Sequence, residues 1–338
     1  MNPTPPSANA GRGASHHNQP SESITMHIAD IFTERGQTFS FEFFPPKTAD
    51  SAASLFDNIA ELVPLKPSHV SVTYGAGGGT RKVTHDLVVR IKQQTPLEVM
   101  PHLTCIGHTE AEIYDILEGY ASAGISNILA LGGDPPRNAP NYDRSLDAFR
   151  YASELVQYIR KFKDRHAGTA IPDPRGFGIA VAGFPEGHPS TPNRVKEIEY
   201  LKAKVDAGAD CIITQLFFDN RDFYDFRERC ELAGISVPIV AGIMPVTSSS
   251  GLMRMADLAA GARFPASLLR AISRCNGRAD ATRRVGIHWA TEQCRDLLDN
   301  DVAGIHFYTL NKSTATREIY ASLGVETSLD LAADMPAS

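Results

Sequence analysis

Eight short apolar runs recur along this chain of 338 residues, each ending in glycine, proline or polar residues, and segments with helical spacing separate them. The runs are TFSFEFF, HVSVTY, VMPHLTC, ISNILALGG, GFGIAVAGF, CIITQLFF, PIVAGIM and GIHFYTL. Strands that are buried on both faces of a parallel sheet have nearly continuous apolar sequences, and alternation with helices favours βαβ units. The pattern predicts an α/β fold, an eight-stranded parallel (β/α)8 TIM barrel, with extra helices between strands seven and eight.

Local signals support this alternation. The first run, from Thr38 to Phe44, ends at two prolines, which cannot donate to a sheet ladder. Thr109, followed three residues later by Glu112, forms a capping-box pattern that predicts the start of a helix. Apolar spacing predicts further helices from Leu146 to Phe162 and from Val195 to Ala207.

The composition is that of an ordinary globular protein. Hydrophobic residues make up 42% and charged residues 21% of the sequence, and the net charge is -6. An acidic chain without a long Lys/Arg run lacks the basic footprint that nucleic acid or an anionic membrane surface requires. No apolar stretch approaches the ~18 residues of a membrane helix, and the N-terminus lacks the apolar core of a signal peptide. We therefore expect a cytoplasmic protein with no nucleic-acid partner and no membrane association.

Cysteine and histidine usage predicts no metal site. The five cysteines, at positions 105, 211, 230, 275 and 294, contain no CxxC pair, which favours neither a disulfide framework nor a zinc site. The HExxH motif is absent. His16 and His17 lie in a segment rich in proline, asparagine and glycine, where two side chains cannot hold a metal ion tightly.

One catalytic domain with two tails is the expected organisation. Residues 1–26 begin with a Pro, Asn, Ser and Gly rich segment that buries too little apolar surface to offset its ordering entropy, so a disordered N-terminal tail is predicted. Residues 27–326 form the barrel domain, and residues 327–338 form a short C-terminal tail. A length of 338 residues is compatible with one barrel.

Polar residues at the strand ends are the candidates for chemistry, because βα barrels build their active sites there. Glu42 lies between Phe41 and Phe43 in the first run. Burial beside aromatic rings raises a carboxyl pKa and makes a proton donor at neutral pH. A structural glutamate, paired with an arginine inside the barrel, is the alternative.

Asp134 and Gln215 follow two other strands. Asp134 lies between two glycines and two prolines, a rigid turn that directs its side chain toward the end of the barrel; a loop or helix cap is the alternative. Gln215 lies among Ile, Leu and Phe, where an unsatisfied amide costs about 1–3 kcal/mol, so it requires either a ligand or a structural partner. His102 and His188 also stand at strand ends, either as functional groups or as satisfied structural residues.

A collinear set of segments resembles the methylenetetrahydrofolate reductase family. The segments are SFEFFPPK, SVTYGAGGGTR, PHLTC, LALGGDPP, PEGHP, KVDAGADCIITQLFFD and HFYTLN, and the resemblance extends over residues 27–326. It is to the catalytic barrel of the bacterial type. The resemblance implies reduction of 5,10-methylenetetrahydrofolate to 5-methyltetrahydrofolate with NADH or NADPH, by ping-pong hydride transfer through FAD, supplying methyl groups for methionine synthesis.

The resemblance also implies residue roles. Glu42 is the general acid that helps open the bridging ring of the folate to an iminium. Asp134 lies near the flavin and hydrogen-bonds the pterin, and Gln215 binds the pterin edge or the nicotinamide. Lys312 meets the folate. The positions that match cofactor contacts of the family are Thr73, Tyr74, Ala76, His102, Gly132, Gly133, Asp134, Ala152, Phe184, His188 and Lys204.

Four positions depart from the bacterial pattern of the family. Gly132 stands where an arginine contacts the flavin phosphate, Phe184 replaces a Tyr, Tyr200 replaces an Asn, and Met255 replaces a Phe that stacks on the nicotinamide. Loss of one charge-assisted contact costs about 1.5–3 kcal/mol, or roughly a ten- to hundred-fold loss of flavin affinity. Two alternatives stay open: a flavin-free reductase that uses NAD(P)H directly, and a folate-binding barrel without catalysis. NADH is the favoured donor, and a homo-oligomer is expected.

Overall fold

The computed structural model describes residues 1, 25–75, 81–136, 139, 141–165, 171–258 and 262–332. Within these residues, eight parallel strands close into a barrel in chain order. The strands are Thr38–Phe43 (β1), His69–Val72 (β2), Val99–Thr104 (β3), Asn127–Leu131 (β4), Gly178–Gly183 (β5), Cys211–Thr214 (β6), Ile239–Ile243 (β7) and Gly304–Tyr308 (β8). The last strand pairs with the first, with Glu42 beside Tyr308. The predicted TIM barrel is confirmed.

The helices lie before, between and after the strands, mostly on the outside of the barrel. They are Ile28–Arg35 (α1), Ala49–Leu62 (α2), Arg81–Gln94 (α3), Glu110–Ser122 (α4), Ala152–Arg160 (α5), Phe162–Arg165 (α6), Arg194–Asp206 (α7), Asn220–Leu232 (α8), Ser249–Leu258 (α9), Ala266–Ser273 (α10), Ala279–Asp299 (α11) and Thr314–Leu323 (α12). Short 3-10 helices occur at Val63–Leu65, Arg144–Leu146 and Ser328–Ala332. The extra helices predicted between strands seven and eight are α9, α10 and α11.

Side-chain caps determine where two of these helices begin. Thr109 is the N-cap of α4 and forms the predicted capping box with Glu112. The helix predicted from Leu146 was placed too early, because α5 begins at Ala152. The carboxylate of Glu154 accepts hydrogen bonds from the backbone N–H groups of Arg150 (2.7 Å) and Tyr151 (3.1 Å), and so caps α5 at that point.

Helix α1, which was not predicted, closes the amino-terminal end of the barrel. Its residues Ile28 and Ile31 are fully buried in a cluster with apolar side chains from the strands. Asn127 of β4 fixes the start of α1, because its Oδ1 accepts from Ile28 N at 2.7 Å and its Nδ2 donates to Met26 O at 2.8 Å. This plug leaves the carboxyl-terminal end of the barrel, here called the mouth, as the open end.

Other sequence-based expectations concern the cysteines, membrane-spanning helices and the two ends of the chain. All five cysteines are free and buried, in agreement with the predicted lack of a disulfide framework. In the described ranges, no helix combines the length and apolar character needed to cross a membrane. Most of the predicted N-terminal tail and residues 333–338 lie outside the described residues. Ser328, in the predicted C-terminal tail, donates from Oγ to Leu65 O at 3.1 Å. The domain boundaries stay predictions.

Candidate active site

Glu42 lies near the mouth end of β1, with its carboxylate between two histidines. Oε2 is 3.5 Å from His102 Nε2 of β3 and 3.8 Å from His306 Nε2 of β8. Histidines therefore occupy the ion-pair range of Glu42, where the structural alternative required an arginine. Loss of hydration on burial raises the pKa of Glu42, and the opposing effect of His102 is smaller. With 19% of its side chain exposed, Glu42 keeps access to the mouth.

Burial also keeps the surrounding histidines neutral. It lowers the pKa of His102 to about 4 and that of His306 to about 3. His69 stacks on His306 with ring centroids 6.0 Å apart, and burial, with a smaller effect of His306, lowers its pKa to about 3. A cationic histidine beside Glu42 would favour the ionised carboxylate, whereas neutral rings allow Glu42 to retain its proton.

Two serines hold the His306 ring. Ser40 Oγ lies 2.8 Å from His306 Nδ1, and Ser71 Oγ lies 3.2 Å from Nε2. Ser40 and Glu42 are two residues apart on β1 and therefore point to the same side of the sheet, the barrel interior. Sequence reasoning missed Ser40, Ser71 and His306. The period-two spacing of Ser40 with Glu42, and of His306 with Tyr308, was the available signal.

Tyr308 links β8, the strand beside Glu42, to β6, the strand that Gln215 follows. Its OH donates to Thr214 O at 2.7 Å. The ring crosses β7 at Gly242, where a Cβ atom would lie 2.7 Å from Tyr308 Cε2. Glycine is therefore required at 242, and Tyr308 is a further site residue that the sequence reasoning missed.

Gln215 has a structural partner for half of its amide. Its Oε1 accepts a hydrogen bond from Leu216 N at 2.9 Å, while its own backbone N donates to Gly183 O at 2.8 Å. The half-buried side chain lines a small cavity together with Phe184, Pro185, Glu186, Gly187, Leu216 and Ala262. The held oxygen leaves the amide NH2 as the group that Gln215 can offer to a ligand.

Asp134 is an exposed carboxylate after β4. Gly133, just before it, has φ 77°, and a Cβ atom there would lie 2.9 Å from Thr104 Cβ, so this turn requires glycine. No described residue donates a hydrogen bond to Asp134. Its charge opposes the larger lowering of the His188 pKa that burial causes. The carboxylate is thus available to a ligand near His188.

His188 is held as a hydrogen-bond donor. Ser190 N donates to His188 Nδ1 at 3.2 Å, and Ser190 Oγ lies 2.7 Å from the same nitrogen. Because a backbone N–H can only donate, Nδ1 is the acceptor, and the neutral ring carries its proton on Nε2. The ring packs edge to face with Phe184, at 4.7 Å between centroids. His188 therefore presents an N–H group.

Comparisons with known proteins identify the family of this barrel. Residues 27–324 match the family model described as methylenetetrahydrofolate reductase. The chain belongs to the methylenetetrahydrofolate reductase family. It is 37% identical over 314 residues to the 5,10-methylenetetrahydrofolate reductase of Escherichia coli (strain K12), and the alignment covers 93% of this chain and 99% of that protein.

Plant members of the methylenetetrahydrofolate reductase family are longer. The chain is 40% identical over 304 residues to methylenetetrahydrofolate reductase (NADH) 1 of Arabidopsis thaliana, covering 87% of this chain and 49% of that relative. The chain spans about half the length of the plant relatives that it matches. The fold also resembles a solved structure of an uncharacterized protein from Clostridium thermocellum, which binds two copies of 5-methyl-5,6,7,8-tetrahydrofolic acid. The TM-score is 0.59 at 14% sequence identity, and the alignment covers 90% of this chain and 98% of that one. At that identity the likeness concerns the fold.

Two of the cofactor positions inferred from the methylenetetrahydrofolate reductase family directly follow β2. Thr73 N donates to Phe43 O at 2.9 Å, which ties this turn to β1. Tyr74 OH lies 3.1 Å from His108 Nε2, and burial raises the pKa of Tyr74 to about 12, so the phenol stays neutral. Ala76 lies outside the described residues.

The other cofactor and folate positions inferred from the family differ in their contacts and exposure. Lys204 Nζ donates to Ala182 O at 2.5 Å, and burial lowers its pKa to about 8. Ala152 is the first residue of α5. Gly132 follows β4, and, chain neighbours aside, a Cβ atom there would meet no described atom within 4 Å. Lys312, beyond β8, is exposed.

The candidate site in this family member thus consists of smaller groups around one mouth. Glu42 lies beside His102, and the charge of Asp134 acts on His188. Gln215 and Phe184 line the same small cavity. Across the described residues, no group of three or more His, Cys, Asp and Glu side chains is arranged to hold a metal ion. The roles of all these residues stay predictions.

Proposed function

We propose that this chain reduces 5,10-methylenetetrahydrofolate to 5-methyltetrahydrofolate with NADH, by ping-pong hydride transfer through FAD, and supplies methyl groups for methionine synthesis. The observation that carries the proposal is Glu42, a half-buried carboxyl whose pKa is raised by loss of hydration, beside two neutral histidines at the barrel mouth. Family membership supports the folate substrate, and the name of the Arabidopsis relative supports NADH.

The described residues at the mouth fit FAD. His102 Nε2 is a buried nitrogen without a hydrogen-bond partner in the described chain, and His188 presents Nε2–H. Gly132 leaves room for close approach of a ligand to the backbone. Tyr74, Gly133, Ala152, Phe184 and Lys204 would complete the binding surface. Bound there, FAD would supply the hydride chemistry between the nicotinamide and the folate.

Glu42 performs the proton chemistry in this proposal. The protonated carboxyl donates to the nitrogen that leaves when the bridging ring of the folate opens to an iminium. A positioned general acid contributes about 10² to 10⁴ in rate. His102 and His306 keep Glu42 protonated by staying neutral, since a positive charge at 3.5 to 3.8 Å would favour the carboxylate.

Three other residues orient the folate and the nicotinamide. The Gln215 amide NH2 donates to the pterin edge, or to the nicotinamide in the other half-reaction, because Leu216 N holds the amide oxygen. The exposed carboxylate of Asp134 accepts from the N–H groups of the pterin. Lys312, exposed beyond β8, meets the acidic tail of the folate.

An anaerobic absorbance experiment tests the proposal. The purified protein should be yellow and release FAD on denaturation. NADH should bleach the flavin band, and methylenetetrahydrofolate should then restore it. A protein that binds the folate, but whose spectrum NADH does not bleach and which does not reduce the folate, would support the folate-binding barrel without catalysis instead.

A flavin-free reductase is the second candidate, favoured by the missing arginine at Gly132. A colourless protein that oxidises NADH in the presence of methylenetetrahydrofolate, and binds no added FAD, would establish it. NADPH in place of NADH tests the donor preference in the same assay. We also infer a cytoplasmic homo-oligomer; sedimentation equilibrium of the purified protein tests the oligomeric state.

A further inference from the structure

Arg144 brings a guanidinium to the mouth end of β4. It begins the short 3-10 helix in the connection between β4 and α5. Its Nη2 donates to Gly132 O at 3.4 Å and to Arg150 O at 3.5 Å. Gly132 directly follows β4 and Arg150 lies two residues before α5, so the guanidinium spans the gap between the strand end and the helix start.

The backbone next to this guanidinium leaves open space. Apart from the chain neighbours, no described atom lies within 4 Å of a Cβ atom placed at Gly132, and Gly132 is not among the residues with positive φ. The next residue, Gly133, differs in both respects, with φ 77° and a contact of 2.9 Å to Thr104 Cβ. A Cβ atom at 132 would therefore meet no strain from the described residues, and the glycine lets a ligand approach the backbone beside Arg144.

Asp147 holds Arg144 by one edge. Arg144 Nε lies 3.6 Å from Asp147 Oδ2, and the Asp147 side chain is 1% exposed while that of Arg144 is 38% exposed. Asp147 is itself fixed, because Oδ1 accepts from Gly107 N at 2.9 Å and from Tyr142 OH at 2.5 Å. The guanidinium is thus oriented by a buried carboxylate and still reaches solvent.

The second cation on this side of the mouth is less available. Lys204 donates to the backbone oxygen of Ala182 at 2.5 Å, and its amine is largely withdrawn from water. A doubly charged pyrophosphate at these strand ends therefore needs another cation. Arginine suits that task, because its planar fork of donors binds phosphate oxygens in pairs.

We propose that Arg144 binds the pyrophosphate of FAD, and so supplies from the β4–α5 connection the cation that is missing at Gly132. This inference rests on the proposed function, since it requires that the barrel binds FAD. It concerns the phosphate part of the dinucleotide and not its isoalloxazine ring.

Flavin affinity of the apoprotein tests this assignment. Fluorescence titration would measure Kd for FAD and for riboflavin, which lacks both phosphates. Arg144→Met should weaken FAD binding roughly ten- to hundred-fold and change riboflavin binding much less. Arg295→Met is the matched control, because Arg295 pairs with Glu292 on α11, away from the mouth, and its loss should leave both affinities unchanged.

A rescue variant separates phosphate binding from loop structure, since Arg144→Met also removes the counter-ion of the buried Asp147. Gly132→Arg in the Arg144→Met background should restore most of the FAD affinity, because the new side chain enters open space at the same strand end. Recovery would support the assignment, as would a loss confined to FAD.

Three results would overturn the assignment. Unchanged FAD affinity in Arg144→Met, while the wild-type protein binds FAD, would refute it and leave the proposed function intact. Equal losses for FAD and riboflavin without rescue by Gly132→Arg would give Arg144 a structural role alone. A wild-type apoprotein that binds no FAD would refute both this inference and the flavin step of the proposed function.

Discussion

The barrel interior has two sides of opposite character. The apolar side is formed by strands β3 to β7 and contributes the buried residues Met100, Leu129, Ala180, Cys211, Ile213 and Val240. The polar side is formed by β1, β2 and β8, joined by His102 from the mouth end of β3, and contributes Ser40, Glu42, His69, Ser71 and His306. One closed sheet thus encloses both a hydrophobic cluster and a buried polar network.

The two sides make opposite contributions to stability. Burial of the apolar side stabilises the fold, and the plug α1 completes it with Ile28 and Ile31. On the polar side, burial disfavours the charged form of each titratable group, and His69 Nε2 has no hydrogen-bond partner in the described chain. Perturbed pKa values of this kind cluster at functional sites. The comparison indicates that stability and proton chemistry belong to different parts of the same barrel.

The largest effect is expected from Glu42→Gln on the polar side. Folate reduction should fall by about 10² to 10⁴, because an amide N–H is far too weak an acid to transfer a proton to the folate nitrogen. Flavin reduction by NADH should be largely intact, since only the folate half-reaction needs the proton. Stopped-flow absorbance measures each half-reaction separately.

Glu98→Gln is the matched control for that substitution. Glu98 is also a half-buried glutamate with a pKa raised by burial, but it precedes β3 at the end opposite the mouth and pairs with Lys92 at 3.1 Å. Both half-reactions should be unaffected by its replacement. Equal damage to both half-reactions in Glu42→Gln would contradict the role of Glu42 as the acid.

On the apolar side, Leu129→Ala should lower the free energy of unfolding by about 2–5 kcal/mol, because a buried leucine leaves a cavity that closes only partly. The folate half-reaction of the folded variant should change little. Urea denaturation measures the first effect and stopped-flow absorbance the second. Leu329→Ala, at a leucine that is 42% exposed, is the control and should have little effect. A loss of folate reduction without a loss of stability in Leu129→Ala would break the division between the two sides.

The sequence predicted those parts of the fold whose signals are local. The capping box of Thr109 and Glu112 spans four residues, and each strand is one continuous run. The helix α1 was missed because its start depends on Asn127, which is 99 residues away from Ile28 in the chain. The start of α5 was misplaced because the cap comes from Glu154, inside the helix, rather than from a residue before it.

For the site, the sequence predicted the raised pKa of Glu42 correctly but for the wrong reason. Phe41 and Phe43, its neighbours in the chain, belong to the cluster between the strands and the outer helices, since alternate residues of a strand face opposite sides. The interior, with His102 and His306, is what removes water from Glu42. Such partners lie on other strands and carry no local signal.

The polar side contains neutral histidines, so it should make the free energy of unfolding depend on pH in acid, whereas the apolar side should not. Burial lowers the pKa of His69 from 6.5 to about 3, so the unfolded chain binds more protons than the folded one between these values. The stability that neutral His69 contributes is fully present above pH 6.5 and is lost as the pH falls toward 3. His69→Gln should flatten this loss in urea titrations between those limits, while His288→Gln, at an exposed histidine, should not. An unchanged slope in His69→Gln would show that His69 does not contribute to the loss of stability in acid.

The smallest effects are expected from the serines that hold His306. Ser40→Ala and Ser71→Ala should each lower the free energy of unfolding by about 0.5–1.5 kcal/mol, with Ser40 the larger because its contact is 2.8 Å against 3.2 Å. Ser126→Ala is the control, since Ser126 Oγ is buried without a partner in the described chain. Urea denaturation of the single and double variants measures the coupling.

The sign of that coupling depends on the single imidazole between the two serines. A neutral ring has one N–H and one acceptor nitrogen, so one serine must donate to His306 and the other must accept from it. Removal of either partner frees the ring to exchange tautomers, and the second removal then costs less than the first. The ¹⁵N shifts of His306 would register that exchange. Additive losses with unchanged shifts would mean that the serines act independently, and that the polar side does not behave as one network beneath Glu42.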